Sequence, residues 1–422
     1  MRAIYGRARD LATSRTAVDT YILFSGNLAN SVIGFIFTWI IARSLSVGDF
    51  GIFSAVNNLV YIIIPLTDLG TTTAVVRFVA EHDAKGEERK SLQFVKAAFN
   101  FKLILFIIIS IIIFIFSEPI AQRLLASNNP QTSYWVVLIS LGIFMPSFIP
   151  AILTAKKKFF RSAFVDVSYA LGRVIFVVPF LIGGLTLIES FKAFALAGVG
   201  SLLVISLVYG YRFLKATSPS KVYKELLVFS GWLGVNKVIS SIASRADVQM
   251  LALLATATSI GYYSIAIKLA FFISFLAASF SAVIAPRLSS FNNKEAEFTY
   301  IKKALLAMIP FCFGIIFWAI VARPFIAVFG EQYLPAVGVF RVLLLSMIPF
   351  LLTAPSVSAI IYSIKRPKYI GYFSIFQLVS VLLLNFILIP RYGAYGPAIT
   401  MGIINVMLLI YSWVITLNYY RK

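Results

Sequence analysis

The sequence is short of charge, sulfur and imidazole, and each shortage closes off a class of function. Charged residues make up 13% of the 422, about half the share usual in a soluble domain. An ordinary water-facing surface cannot be built from so few. Cys312 is the sole cysteine and lies inside an apolar block, so neither a disulfide framework nor a cysteine-based metal site is available. His82 is the sole histidine, which excludes a histidine-cluster metal site. No P-loop, catalytic triad or metal-ligand cluster can be traced. No gap between apolar blocks is long enough to fold a catalytic domain. Neither an enzyme nor a cofactor requirement is expected.

What the chain has in quantity is apolar sequence. Hydrophobic residues make up 60% and mean hydropathy is +0.92. They come in blocks of about twenty, such as 101–116, 135–155 and 372–390, a length that matches a bilayer core of roughly 30 Å at 1.5 Å per residue. Membrane-spanning helices are expected at roughly 20–42, 50–76, 96–117, 134–155, 164–184 and 190–210. A second set follows at roughly 227–251, 259–285, 304–325, 336–362, 370–390 and 395–417. The expected fold is therefore all-α: a polytopic membrane protein of about twelve spans.

A net charge of +21 and a pI near 10.0 raise nucleic acid as a partner, but the charges are wrongly placed for it. They cluster in alternate gaps rather than on one face. Lys85/Arg89/Lys90, Lys156/Lys157/Lys158/Arg161, Arg212/Lys215/Lys221/Lys224, Arg287/Lys294/Lys302/Lys303 and Lys365/Arg366/Lys368 fill one set of gaps. The intervening gaps hold single residues such as Arg123 and Arg391. This bias puts the rich gaps and both termini in the cytoplasm. Arg2, Arg7, Arg9 and Arg15 precede a block too long for a signal-peptide core, so 21–41 reads as a retained signal-anchor helix.

The chain also repeats itself weakly. Phe24-Ser25-Gly26 recurs as Phe229-Ser230-Gly231, and Phe50-Gly51-Ile52-Phe53-Ser54 is echoed by Ile260-Gly261-Tyr262-Tyr263-Ser264. Two six-helix lobes in a parallel pseudo-two-fold repeat follow: 1–210, a cytoplasmic linker at 211–226, and 227–422.

Ionisable residues inside spans are costly, about 2.5–3.5 kcal/mol each on insertion scales, so they carry the most information. Arg43, Arg77, Lys102, Lys192, Arg287, Arg323 and Arg341 lie near expected helix ends, where long side chains snorkel. Arg173, Lys237 and Lys268 lie deeper, with Arg245 and Asp247 further along the seventh helix. On that helix Asn236, Lys237, Ser240, Ser241, Ser244, Arg245 and Asp247 cover one half of the circumference, opposite Val235, Ile239, Ile242 and Ala246. Asn27, Asn30, Ser31, Gly34 and Thr38 make a smaller polar face on the first helix. Asn57, Tyr61, Pro65, Asp68 and Thr72 align on the second. A polar cavity between the lobes is expected. Arg173 has Asp166 as a possible counter-ion, and Arg245 has Asp247 or Asp68. No acid lies near Lys237 or Lys268 in sequence, which points to an anionic ligand. Interhelical hydrogen bonding is the alternative for each Ser, Thr and Asn taken singly. Prolines 65, 146, 150, 179, 310, 349 and 355 mark kinks or hinges, and Gly198-x-Gly200 reads as helix packing.

Ala42-Arg43-Ser44-Leu45 before Phe50-Gly51, Asp68-Leu69-Gly70 with Arg77, Gly261-Tyr262-Tyr263 and Pro286-Arg287-Leu288 together resemble the polysaccharide-biosynthesis (Wzx-type) branch of the multidrug/oligosaccharidyl-lipid/polysaccharide exporter superfamily. The resemblance covers nearly the whole chain. It implies a MATE-like fold in the bacterial inner membrane and flipping of undecaprenyl-diphosphate-linked oligosaccharide, such as an O-antigen repeat for lipopolysaccharide, by alternating access. It implies a cavity lined by the first, second, seventh and eighth helices, with Lys237, Arg245 and Lys268, and less directly Arg173, on the diphosphate. Asn27, Asn30, Ser240 and Ser244 would line the glycan path, and Asp68 and Asp247 would couple to H+ or Na+. The other driver would be consumption of product by a downstream glycan polymerase. Three rivals are a multidrug/cation antiporter of the same superfamily, a peptidoglycan-precursor flippase, and a membrane glycan polymerase or ligase. The basic bias argues against the first, the absence of two extra helices against the second, and the absence of a large periplasmic loop against the third.

The topology is directly testable. Reporter fusions after Lys90, Arg161, Lys221, Asn293 and Arg366 should report cytoplasm, and those after Ser127 and Gln332 the opposite side. A periplasmic signal from the lysine-rich loops would overturn the orientation.

Overall fold

A computed structural model describes residues 15–289, 291 and 293–421; Arg2, Arg7 and Arg9 lie outside them. Among the described residues there are twelve helices long and apolar enough to cross a membrane. They are α1 Val18–Ser44, α2 Val47–Asp68, α3 Glu88–Ile115, α4 Gln131–Ala155, α5 Phe159–Ile182 and α6 Leu187–Val208. The second set is α7 Ser220–Ala243, α8 Ala257–Leu288, α9 Lys294–Ile320, α10 Ala336–Ser363, α11 Lys368–Tyr392 and α12 Tyr395–Arg421. Helices dominate because lipid offers no hydrogen bonds, so each spanning segment must satisfy its own backbone.

The apolar blocks do not form a core around themselves; each helix keeps one stripe outward. On α3, Ile104, Ile107, Ile108, Ile111 and Ile115 are exposed, while Phe94, Ala98, Lys102 and Phe106 are buried. On α7, Val228, Trp232, Val235, Ile239 and Ile242 form one exposed line at helical spacing. Such stripes would be aggregation sites in water and are the natural surface in hydrocarbon.

Two compact units result. One comprises Met1–Leu45 with Val56–Arg245, the other Ser46–Ala55 with Ala246–Lys422. The division does not follow the 211–226 segment: α7 packs with the first unit, and the first turns of α2 pack with the second. Within the first unit α5 packs on both α1 and α6, α6 packs on α4, and α7 packs on α3 and on the helix Thr71–Ala84 that follows α2. Within the second, α10 packs on α8, α9 and α12, and α11 packs on α12.

Close crossings are made by glycine. Gly142 of α4 meets Gly198 of α6, where a Cβ on Gly198 would lie 2.2 Å from the Gly142 Cα. Gly198-x-Gly200 is thus a packing motif, with Gly200 against the Phe176 ring. In the second unit the glycines matched by the internal repeat pack together. A Cβ on Gly51 would lie 1.8 Å from the Ala257 carbonyl oxygen and 3.1 Å from the Gly261 nitrogen. The prolines divide into two groups. Pro146 lies in a break of α4, and Pro355 follows the break at Thr353 in α10, whereas Pro179 and Pro310 sit inside unbroken helices.

Replacing Gly198 by Leu should separate α4 from α6 and cost about 1–3 kcal/mol, the range for overpacking. Gly231→Ala, which meets open space, is the control. Equal thermal stability of the two purified variants would contradict this packing.

Candidate functional site

The α2 helix ends at Asp68 because the chain turns through two positive-φ residues, Leu69 (φ 40) and Gly70 (φ 78), before the helix Thr71–Ala84 begins. The span expected to run unbroken to residue 76 is therefore interrupted. A helix start exposes unsatisfied amides with partial positive charge, and Asp68 answers it. Its Oδ1 accepts from the Thr72 amide at 3.1 Å, from the Thr71 hydroxyl at 3.4 Å and from the Thr72 hydroxyl. Glycines then admit α7 to the same point. A Cβ on Gly70 would lie 2.7 Å from the Gly234 nitrogen, and one on Gly234 would lie 2.2 Å from the Leu69 carbonyl oxygen.

Three residues beyond that crossing, about one helical turn, Lys237 reaches Asp68, its Nζ 2.6 Å from Oδ2. The absence of an acid for Lys237, expected from local sequence, is corrected here; the partner lies 169 positions away. A second lysine approaches from α3. Lys102 Nζ lies 3.2 Å from Asp68 Oδ1 and 3.3 Å from the Thr72 hydroxyl, over the rings of Phe148 at 4.7 Å and Phe144 at 5.6 Å. Snorkelling was expected of Lys102, but α3 begins at Glu88 rather than near 96, putting Lys102 about 21 Å along the helix. Its side chain is 1% exposed, that of Asp68 2%, and that of Lys237 42%. One buried carboxylate is thus shared by a buried lysine and an open one.

Further along α7 the contact continues. The Ser241 hydroxyl donates to the Tyr61 carbonyl at 3.1 Å. The helix then breaks at Ser244–Arg245, and a separate helix Ala246–Leu254 follows. Asn58 Nδ2 donates to the Arg245 carbonyl at 2.9 Å, while Arg245 Nη1 donates to Asn58 Oδ1 at 3.2 Å and its guanidinium lies 4.8 Å from the Tyr61 ring centre. Asp68, expected as a partner for Arg245, is occupied by the two lysines. Beside this contact face, Asn236, Ser240 and Ser244 form a parallel line that is exposed. The polar half-circumference read from sequence therefore serves two purposes: residues 237, 241 and 245 bind α2, and 236, 240 and 244 stay open.

Arg173 is not paired with Asp166, correcting that expectation. Its guanidinium lies over Tyr169 at 5.3 Å and over Phe37 and Phe194 at 5.5 Å each, and its Nε has no hydrogen-bond partner among the described residues. Its Nη2 would lie 3.6 Å from a Cβ on Gly34, so α5 delivers this charge to the polar face of α1. On that face Asn27 and Ser31 are exposed and Asn30 is half-buried, with the Ser31 hydroxyl bonded to the Asn27 carbonyl at 2.8 Å. Lys268 and Asp247 belong to the second unit. Lys268 Nζ lies 5.8 Å from the Phe50 ring centre, and Asp247 accepts from the buried Tyr263 hydroxyl. Among the described residues no group of three His, Cys, Asp or Glu side chains could hold a metal ion.

The family model described as polysaccharide biosynthesis protein matches residues 17–292, well over half of the chain. The chain belongs to the polysaccharide biosynthesis protein family. A relative from Shigella flexneri named "Putative O-antigen transporter" is 25% identical over 401 residues, covering 89% of this chain and 92% of its own. Two solved structures share the fold of this polysaccharide biosynthesis family member. Lipid II flippase MurJ, in an inward closed conformation, has a TM-score of 0.73 at 17% identity, over 94% of this chain and 87% of that one. An inward-facing multidrug resistance MATE family transporter of the MOP superfamily has a TM-score of 0.69 at 15% identity, over 93% and 94%. The MATE-like, all-helical architecture expected from the resemblance is the one present.

Lys102→Met should leave Asp68 with a single, half-exposed counter-ion and lower stability by about 2 kcal/mol, less than the 3–5 typical when a buried charge loses its only partner. Adding Asp68→Asn should recover part of that loss, measured as the melting temperature in detergent. A Lys102→Met protein as stable as the unaltered chain would contradict this dependence.

Proposed function

We propose that this protein flips oligosaccharide units linked to undecaprenyl diphosphate from the cytoplasmic to the outer leaflet of the bacterial inner membrane. The observation that carries this reading is the open side of α7. A lysine 42% exposed borders exposed Asn236 and Ser240 within a membrane span and exposed Ser244 just past its end. Asn236 and Ser244 bond carbonyls of their own helix turns at 3.1 Å each, which leaves the Asn236 side-chain oxygen and the neighbouring ammonium to an aqueous path, and a cation beside such a path attracts an anion. Membership of a polysaccharide biosynthesis family and a 25% identical relative named "Putative O-antigen transporter" support this substrate class. A diphosphate oxygen about 4 Å from an ammonium gains about 4 kcal/mol at an effective dielectric of 20, enough to hold the headgroup without trapping it.

In this reading Lys237, Arg245 and Lys268 take the diphosphate in turn as access alternates, with Arg173 at the polar face of α1. The lipid carrier leaves chemically unchanged. Lysine-rich loops and both termini face the cytoplasm. Asp68 is committed to two lysines. Asp247 is then the carboxylate for coupling to a proton or sodium gradient.

The triple variant Lys237→Gln, Arg245→Gln and Lys268→Gln should lower flipping in liposomes by at least about tenfold while membrane abundance stays normal. Full activity would refute the anion path. Cleavage or extension of the glycan by purified protein would refute the flippase reading itself.

A further inference from the structure

The two oxygens of Asp68 have different surroundings. Oδ1 faces the interior, held by Lys102, both threonine hydroxyls and the Thr72 amide. Oδ2 faces Lys237. Lys102 is enclosed, and Lys237 is open on one side. A carboxylate paired with Lys237 alone would make departure of that lysine prohibitive, because a buried charge would be left without a counter-ion. Lys102 removes this obstacle: Asp68 stays paired and hydrogen-bonded whether or not Lys237 is present. Lys237 is moreover a point charge on a flexible stem, able to swing between two acceptors without a fixed bidentate geometry. The Gly70–Gly234 contact keeps the base of that stem beside Asp68, so a lysine that leaves is always within reach to return. A cluster built only for stability needs neither the second lysine nor the open side.

We infer that Asp68 is a built-in competitor for the substrate's diphosphate, holding Lys237 when the path is empty and reclaiming it to release the anion, with Lys102 as the positioning residue that keeps Asp68 in place meanwhile. This inference rests on the reading that Lys237 binds the diphosphate. Substrate binding is thus an exchange of one anion for another on a single ammonium. The exchange weakens the hold at equilibrium and opens a direct route for release.

The exchange gives the two neighbours of Lys237 opposite signatures. Asp68→Asn removes the competitor, so inorganic diphosphate titrated into purified protein should bind about tenfold more tightly, while flipping slows because release is impaired. Lys102→Gln leaves Asp68 more dependent on Lys237, so diphosphate should bind several-fold more weakly. The double variant, which needs no buried counter-ion, should return to the tight binding of Asp68→Asn and guards against misfolding of either single variant, above all Asp68→Asn, which leaves buried Lys102 without its carboxylate. A gain that persists when Lys237→Gln is combined with Asp68→Asn would overturn the inference, since the competition must act through that lysine. So would equal affinity of Asp68→Asn and the unaltered chain, with the anion path intact. An equal gain for phosphatidylglycerol micelles would overturn the assignment of the competition to diphosphate. No diphosphate binding by the unaltered chain would instead overturn the anion path and this inference together.

Discussion

Charge inside hydrocarbon must be answered by charge, and in the first unit that requirement is met at Asp68. A carboxylate at the broken end of α2 satisfies the amide of the next helix, fixes Lys102 of α3 and meets Lys237 of α7. Three segments far apart in sequence are tied at one atom group, and the glycines at 70 and 234 exist to let the backbones approach. Removing Asp68 leaves buried Lys102 without its counter-ion, a penalty larger than the gain from the contact itself, whereas removing Lys237 leaves Asp68 still paired with Lys102. The cluster also carries a net positive charge, because two lysines share one acid. The surplus lies on the side that is open.

The rest of α7 follows from that anchoring. With 237, 241 and 245 turned to α2, the 3.6-residue period turns Val228, Trp232, Val235, Ile239 and Ile242 toward lipid and leaves 236, 240 and 244 between the two. One helix thereby has a bound face, an exposed apolar face and an exposed polar face. The break at Ser244–Arg245 frees backbone groups, and Asn58 takes the Arg245 carbonyl. Interrupted spans with polar side chains at the break recur where transporters handle ions, and α2 and α7 are both interrupted beside the cationic residues.

Much of this was legible in the sequence because lipid imposes simple rules. Block length fixed the number of spans, and the wheel of α7 separated its apolar stripe from its polar half. Gly198 declared itself as packing. What escaped notice depended on distance or on helix ends. Lys237 looked unpaired because Asp68 is 169 positions away, and no local pattern reports such a pair. Lys102 looked superficial because charged residues at 88–90 hid the true start of α3, which placed it mid-helix and buried. Arg173 looked remote from α1 because its guanidinium reaches that helix from α5, over the Phe37 ring and into the space at Gly34. The compact units also divide elsewhere than at the basic linker, since the Asp68 cluster ties α7 to the first unit.

We propose that the open face of α7 carries a lipid diphosphate across the membrane. The most direct measurement is the leaflet distribution of lipid-linked glycan in a strain deleted for this chain. The account predicts that an undecaprenyl-diphosphate-linked oligosaccharide accumulates on the cytoplasmic leaflet and returns to normal when the chain is restored. An unchanged distribution, with intact surface polysaccharide, would contradict it.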